Sequence, residues 1–164
     1  YPAGLNGSYV APATFSALRG NGTVNGDVQV SSQLAPGNSV GELSVDGDLL
    51  LMASTVLDWE FRDSDSDFAT VSGDLVLDGL LDVTDLGGLG IGTYDLISYD
   101  GVLTNNGLEL GSIPPGWTSE DFSILIQETG SGIVQLEIVP EPATLLLLAL
   151  AAFGVITHRQ RRDG

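Results

Sequence analysis

The feature that most constrains the fold is an internal repeat built on Gly-Asp. The pattern of an apolar residue, any residue, Gly-Asp, an apolar residue, any residue and an apolar residue occurs at 24–30, 45–51 and 71–77. Its glycines lie 21 and then 26 residues apart, and such near-regular periods are typical of solenoids, whose units stack to bury their apolar faces. Because glycine accepts the positive φ of a tight bend and aspartate can bind its own nearby backbone, each Gly-Asp predicts a corner.

The residues between these corners alternate apolar with small or polar side chains, as in residues 41–45, Gly-Glu-Leu-Ser-Val. This is the periodicity of a strand rather than a helix, and 22 glycines also argue against helices. We therefore predict an all-β fold, a short right-handed parallel β-helix (solenoid) with its coils in residues 1–112. An antiparallel sandwich is the main alternative, because short strands with frequent turns also describe one.

Residues 113–139 are predicted to form a terminal loop and a β-hairpin, since the regular period is lost after Gly101. The consecutive Pro114 and Pro115 cannot join the interior of a sheet. Two alternating segments, 122–127 and 133–138, flank a glycine-rich turn, which is the pattern of a hairpin. This hairpin is expected to close the end of the solenoid, where an unpaired edge would promote aggregation.

Several phrases of the body resemble a known family. Residues 35–45, followed by Gly47-Asp48-Leu49, resemble the PGNSxGxLxVxGxL phrase near the ends of autotransporter-like β-helix passengers. Residues 66–75 and 92–101 continue this resemblance, which covers roughly residues 20–139. It implies an exported β-helical body.

Charge and composition exclude several functions. The chain has 22 acidic and five basic residues, for a formal net charge of −17, and it has no cysteine. Nucleic acid is a poor partner for so acidic a surface, and no disulfide, zinc-thiolate site or thiol nucleophile is possible. The chain begins at Tyr1 without a basic-then-apolar leader, so we expect a cleaved signal peptide or further upstream sequence.

The last 25 residues, 140–164, combine three unlike parts. Pro140, Glu141 and Pro142 are followed by an uncharged run to Thr157, and that run by a basic flank. As a helix the 16 uncharged residues from Pro142 to Thr157 would reach roughly 24 Å, which is short for a hydrocarbon core of about 30 Å. The run is apolar on all sides, which favours lipid over a buried core helix. The predicted membrane helix includes Ala143, Leu145, Leu146, Leu147, Leu148, Leu150, Phe153 and Ile156. The positive-inside rule places the basic flank on the cytoplasmic side, and its residues are Arg159, Arg161 and Arg162.

This order of parts resembles the PEP-CTERM sorting signal of exopolysaccharide-producing Gram-negative bacteria. The resemblance implies that an integral-membrane exosortase recognises Pro140, Glu141 and Pro142 and processes the tail. It also implies anchoring in the inner membrane before processing, then release to the cell surface or to an exopolysaccharide (biofilm) matrix. The alternatives are an uncleaved single-pass anchor, and two prolines that merely end the last strand and begin the helix.

The residues available as catalytic groups argue against an enzyme. The one histidine, His158, lies in the predicted cytoplasmic flank, which excludes histidine-dependent triads, histidine metal sites and histidine general bases from the body. Glycoside hydrolysis needs two carboxylates at a suitable separation, which the 21 acids of residues 1–142 will meet somewhere by chance. Lyase chemistry has only Arg19 and Arg62 to draw on in that range. We predict a non-enzymatic structural or adhesive protein without a cofactor. A surface-displayed carbohydrate-active enzyme or carbohydrate-binding protein is the alternative.

One acidic stretch has the spacing of a calcium loop. Asp63, Asp65 and Asp67 alternate with other residues as in D-x-D-x-D. However, Phe68 stands where an EF-hand requires glycine, and Asp74 where it requires a bidentate glutamate. We therefore expect a solvated loop and no metal.

Four aromatic residues, Trp59, Trp117, Tyr94 and Tyr99, are candidates for a sugar-stacking surface. Their spacing does not set them on one face of a strand. Packing in the core or at an edge is the expected role.

Overall fold

The computed structural model describes residues 12–63, 65–127 and 131–139, and all its long elements are strands. Two sheets face each other. Sheet A contains β1 (Ala13–Gly20), β3 (Val28–Pro36), β5 (Leu49–Leu51), β6 (Val56–Arg62), β7 (Asp65–Ser66), β9 (Leu75–Asp85) and β11 (Leu103–Leu110). Sheet B contains β2 (Gly22–Asn25), β4 (Glu42–Asp46), β8 (Phe68–Val71), β10 (Gly92–Tyr99), β12 (Phe122–Ile126) and β13 (Gly132–Ile138).

The chain alternates between the sheets, and successive passes stack in parallel. In sheet A, Val28 pairs with Leu49, Leu49 with Leu75, and Leu75 with Leu103. In sheet B, β2, β4, β8 and β10 stack in the same way. The predicted β-solenoid is thus confirmed and the sandwich alternative is wrong, because β1 to β4 and β8 to β11 alternate between the sheets and each pairs in parallel with a strand of a neighbouring coil.

The core lies between the two sheets and follows from the alternation of side chains. Along β9 every second residue is buried, from Leu75 to Val83, and β6 contributes Trp59 and Phe61, both fully buried. Parallel in-register stacking places like residues about 4.8 Å apart along the axis. Each coil therefore completes the apolar layer of its neighbour, as the sequence pattern predicts.

The uneven spacing of the Gly-Asp repeats has a structural cause. The second coil contains β3 and β4, and the third contains β5 to β8. The second coil takes three residues to pass from Val30 to Gln33, whereas the third coil takes five to pass between their stacking partners, Leu51 and Val56. The second coil then takes eight residues to turn from Leu34 to Glu42. The equivalent corner of the third coil takes eleven, from Leu57 to Phe68. These two insertions supply the five extra residues of the longer period without disturbing the stacking of the strands.

The far end of the solenoid is closed by the predicted hairpin. β12 and β13 pair antiparallel, and β13 also pairs antiparallel with β10, so the hairpin covers the last parallel strand of sheet B. A short 3-10 helix, Ser119–Asp121, leads into β12. The expectation that periodicity ends at Gly101 was wrong for sheet A, because β11 still stacks in parallel on β9. The hydrophobic helix predicted for the tail lies outside the described residues.

Candidate functional site

The stacked corners require glycine for the predicted reason at one position and for a different reason at others. Gly26 has a positive φ of 102°, but Gly73 and Gly101 do not have the left-handed backbone that a tight bend was expected to need. A Cβ on Gly73 would lie 2.7 Å from the carbonyl carbon of Gly47, and one on Gly101 would lie 2.6 Å from that of Gly73. The close approach of successive coils therefore excludes a side chain.

The aspartates beside these glycines form an acidic ladder: Asp27, Asp48 and Asp74, each exposed. The Asp27 Oδ1 atom accepts the Asp48 N–H at 3.0 Å, and the Asp48 Oδ1 atom accepts the Asp74 N–H at 2.7 Å. The Asp74 Oδ1 atom accepts the N–H of Val102, also at 2.7 Å. The prediction that these side chains bind their own nearby backbone was therefore wrong, because each of them joins its coil to the next one.

The same device recurs at a corner that the sequence pattern did not reveal. The Asp82 Oδ1 atom accepts the N–H of Ser112 at 2.7 Å. A Cβ on the adjacent Gly111 would lie 2.2 Å from that oxygen. The pairing of a carboxylate in one coil with a glycine in the next thus continues to the end of sheet A. Among residues 12–63, 65–127 and 131–139, no group of three or more His, Cys, Asp and Glu side chains is arranged to hold a metal ion.

The structure separates the three aspartates of the candidate calcium loop. Asp63 and Asp65 are exposed, whereas Asp67 is fully buried. The Asp65 carboxylate accepts the N–H of Ser66 at 3.1 Å. Both Asp67 oxygens are engaged by main-chain amides, because Oδ1 accepts the Gly41 N–H and Oδ2 the Glu60 N–H, each at 2.9 Å. Asp67 therefore joins the backbone at Gly41 to the backbone at Glu60 inside the protein, and it is not one of three ligands in a loop.

Burial sets the protonation of Asp67. Desolvation raises the pKa of its carboxyl from 3.8 to about 6, although the hydrogen bonds from Glu60 and Gly41 act in the opposite direction. The negative charges of Glu60 and Asp58 raise the pKa further. Since a charged group loses its hydration on burial, the neutral form is favoured well above the usual titration range of an aspartate.

An open groove of about 560 Å³ lies on the surface of the solenoid. It crosses three successive coils. Its polar groups include Glu42, Asp65, Ser66, Thr93 and Asp95, and its apolar groups include Val40, Phe68 and Tyr94. Sequence reasoning missed this groove, because its residues lie far apart in the chain and only the stacking of coils brings them together.

Hydrogen bonds hold part of the groove wall in place. The Ser66 hydroxyl donates to the Asp95 carbonyl oxygen at 3.1 Å, and the Gln135 side-chain amide donates to Asp95 Oδ1 at 2.6 Å. The Tyr94 hydroxyl donates to the carbonyl of Gly90 at 3.1 Å. The groove therefore presents carboxylates, hydroxyls and aromatic edges on a rigid support, which is a surface suited to polar or cationic ligands.

The aromatic residues have the packing role that was expected. Trp59, Tyr94 and Tyr99 are buried, and the partly buried Trp117 packs against Phe122 with ring centroids 5.8 Å apart. The Phe61 and Tyr94 rings meet edge to face at 5.2 Å. These four residues do not form a shared sugar-stacking surface.

The predicted sorting residues Pro140, Glu141 and Pro142, the membrane-helix residues and the basic flank lie outside the described residues. Within the part of the chain that the structure does describe, no helix has the length and apolar character needed to cross a membrane.

Fold and sequence together define a β-solenoid body followed by a tripartite tail. Residues 139–162 match the family model of the PEP-CTERM protein-sorting motif. The chain is also similar to the adhesin BmaC autotransporter of Brucella suis biovar 1 (strain 1330), with 40% identity over 98 residues. That similarity covers 54% of this chain but only 3% of the adhesin, so the chain spans a small part of this relative. The two resemblances found in the sequence are therefore confirmed.

Proposed function

We propose that this protein is exported to the cell surface or extracellular matrix, where its solenoid serves as a structural or adhesive body. The observation that carries the proposal is the presence in one chain of a sorting motif at residues 139–162 and of a β-solenoid similar to part of an adhesin. The acidic surface supports it too, because like charges keep exported coils soluble and hydrated. The proposal assigns right-handed coils to residues 1–112, a terminal loop and hairpin to 113–139, and the sorting signal to 140–164.

The tail is proposed to act as an address that is read at the membrane. Exosortase would recognise Pro140, Glu141 and Pro142 while the apolar run is held in the inner membrane by the arginine flank. Proline restricts the backbone to extended conformations near itself, and an extended segment is what a processing enzyme can bind. The exopolysaccharide link is part of this proposal and follows from the resemblance of the tail.

Mass spectrometry of the mature protein tests the tail. The full chain and its Glu141→Ala variant are expressed, behind a signal peptide, in a host that contains an exosortase. We expect a shortened C-terminus in the parent chain and retention of Gly164 in the variant. Glu137→Ala is the matched control, since Glu137 lies on β13 outside the Pro-Glu-Pro motif, and it should be processed normally. An intact C-terminus in the parent chain would favour a permanent single-pass anchor.

A carbohydrate-active or carbohydrate-binding protein is the second candidate, favoured by the groove. Glu42, Asp65 and Asp95 line the same cavity, and paired carboxylates are the usual machinery of glycoside hydrolysis. A panel of neutral and amino-sugar polysaccharides, assayed for new reducing ends, tests activity. Isothermal titration with the same panel tests binding. Cleavage that is lost in Glu42→Gln and Asp95→Asn would replace the adhesive proposal with an enzymatic one.

A further inference from the structure

Strand β12 lies at the outer edge of sheet B, and within the described part of the chain it pairs with β13 alone. The odd-numbered residues of β12 make the hydrogen bonds of this pairing. At one end the Asp121 carbonyl accepts the Val139 N–H at 2.9 Å, and at the other the Gln127 N–H donates to the Ile133 carbonyl at 3.2 Å. Since bonded and open positions alternate along an antiparallel ladder, the even-numbered residues of β12 direct their N–H and C=O groups away from β13.

The open edge of β12 is centred on Ile124 and Ile126. The other even-numbered residue, Phe122, already donates its N–H to the carbonyl of Ser119, whereas no described residue binds the outward groups of Ile124 and Ile126. The side chains of these two residues are partly buried against the core, and Leu125 between them lies on the other face and is 38% exposed. An added strand would therefore satisfy main-chain groups and cover apolar side chains at the same time.

The other edge strands have features that oppose pairing, and β12 lacks them. β1 has a register shift after Phe15 and carries the exposed Arg19, and β11 has a register shift after Asn105 and carries the exposed Glu109. β2 has only four residues and β7 only two. In contrast, β12 is regular over five residues and has no charged side chain. Since proteins protect exposed edges with bulges, charges and short strands, an edge without such protection indicates a strand partner.

We propose that β12 pairs antiparallel with β12 of a second copy of this chain, so that two solenoids join end to end in a dimer. The register is centred on Leu125, because the N–H and C=O groups of Ile124 then meet those of Ile126 in the second copy. A register centred on Ile124 would instead place the Ile126 carbonyl opposite Phe122, whose N–H is occupied. This inference depends neither on the tail nor on the function of the groove.

The distribution of charge and apolar surface favours a second copy as the partner. A net charge of −17 opposes association between copies, but β12 contributes none of that charge. Glu120 and Asp121 precede the strand, and antiparallel pairing sends the acids of the two copies to opposite ends of the interface, where parallel pairing would bring them together. The exposed Leu125 then packs against Leu125 of the second copy. Such a two-fold interface uses the open edge of both copies, so association ends at the dimer.

Disulfide trapping in the full chain tests this register. The chain has no cysteine, so Leu125→Cys introduces a single thiol that can form a disulfide only with a second copy. In a non-hydrogen-bonded antiparallel pair the two Cα atoms lie about 4.5 Å apart, within the range of about 4.4 to 6.8 Å that a disulfide spans. Mild oxidation should therefore convert most of this variant to a covalent dimer on a non-reducing gel.

Ser123→Cys is the matched control, because Ser123 is exposed on the same face of β12. In the proposed register the two thiols would lie about 13 Å apart along the strands, which is beyond the reach of a disulfide, so this variant should give little covalent dimer. Both variants keep the same tail, and association through the tail would affect them equally. Trapping of both variants alike, or of neither, would overturn the proposal.

Amide hydrogen exchange of the parent chain gives an independent test. Raising the protein concentration from low micromolar to submillimolar should increase the protection of the Ile124 and Ile126 amides at least about tenfold relative to the Leu125 amide, which already binds β13. Leu125→Lys should abolish this increase, because it places two ammonium groups face to face, whereas Ser123→Lys should retain it. Protection that is independent of concentration in the parent chain, or equal effects of the two lysines, would contradict the dimer.

Discussion

The backbone N–H of Asp74 donates to the Oδ1 atom of Asp48, which lies 26 residues earlier in the chain, at 2.7 Å. The contact joins equivalent corners of two successive coils, and the Gly73 N–H donates to the Gly47 carbonyl at 3.0 Å beside it. One Gly-Asp unit thus serves two purposes, because its glycine permits the approach and its aspartate satisfies an amide of the next coil. This explains why the two residues recur together.

Replacing Gly73 with alanine should strongly destabilise the protein. The new Cβ would lie 2.7 Å from the carbonyl carbon of Gly47, and a backbone atom cannot move aside without separating the coils. We expect a loss of about 3 kcal/mol or more in the free energy of unfolding, at the upper end for overpacked sites. Chemical denaturation followed by tryptophan fluorescence measures it.

Gly90→Ala is the matched control for that substitution. Gly90 has an ordinary φ, and its added Cβ would approach nothing nearer than the Gly88 carbonyl oxygen at 3.8 Å. Its free energy of unfolding should stay within about 0.5 kcal/mol of the parent value. Equal losses in the two variants would contradict the stacking explanation.

Asp48→Ala and Asp48→Asn should separate the hydrogen bond of the ladder from its charge. Alanine removes the acceptor of the Asp74 amide and should cost about 1 kcal/mol. Asparagine keeps an Oδ1 acceptor while removing a negative charge from between Asp27 and Asp74, so it should be neutral or stabilising at low salt. The comparison is made by denaturant titration in the same buffer, and a loss in Asp48→Asn as large as in Asp48→Ala would contradict it.

Added salt should stabilise the parent chain. The formal net charge is −17, and the aspartates of the acidic ladder belong to successive coils. Neighbouring coils stack about 4.8 Å apart, well within the Debye length of about 10 Å at 0.1 M salt. Screening therefore relieves repulsion that the fold has to overcome. The melting temperature should rise between 10 mM and 300 mM sodium chloride, and the rise should be smaller in Asp48→Asn.

Much of the fold could be predicted because each coil repeats the same physical requirements. The alternation of apolar residues located the strands, and Gly-Asp located the corners. The reason for the glycines could not be predicted, since the approach of Gly73 to Gly47 depends on the stacking of separate coils. The groove was missed for the same reason, because Glu42 and Asp95 are neighbours only across coils.

The burial of Asp67 could have been predicted from strand alternation, but the D-x-D-x-D spacing was given more weight. Counting back by twos from the buried Val71 and Ala69 places Asp67 on the inward face of the same segment. The D-x-D-x-D spacing led instead to a solvated loop, and that interpretation was wrong for Asp67. Strand alternation is the stronger constraint here, because a residue that continues a buried face is buried even when it is charged, provided that amides satisfy its oxygens.

Trp59→Phe should reveal how much the hydrogen bond of the buried indole contributes to the free energy of unfolding. Trp59 is fully buried, and its Nε1–H donates to the Asp67 carbonyl at 2.6 Å. Phenylalanine leaves that carbonyl without its donor and leaves a small void, so we expect a loss of about 2 to 4 kcal/mol in the free energy of unfolding. Phe61→Leu is the control, since it also shortens a fully buried aromatic residue on β6 but removes no hydrogen bond.

Circular dichroism follows the unfolding, and hydrogen exchange of the Gly41 amide provides the decisive readout. Exchange at Gly41 should be faster in Trp59→Phe than in Phe61→Leu when both are compared at equal global stability, because only the former weakens the support of Asp67.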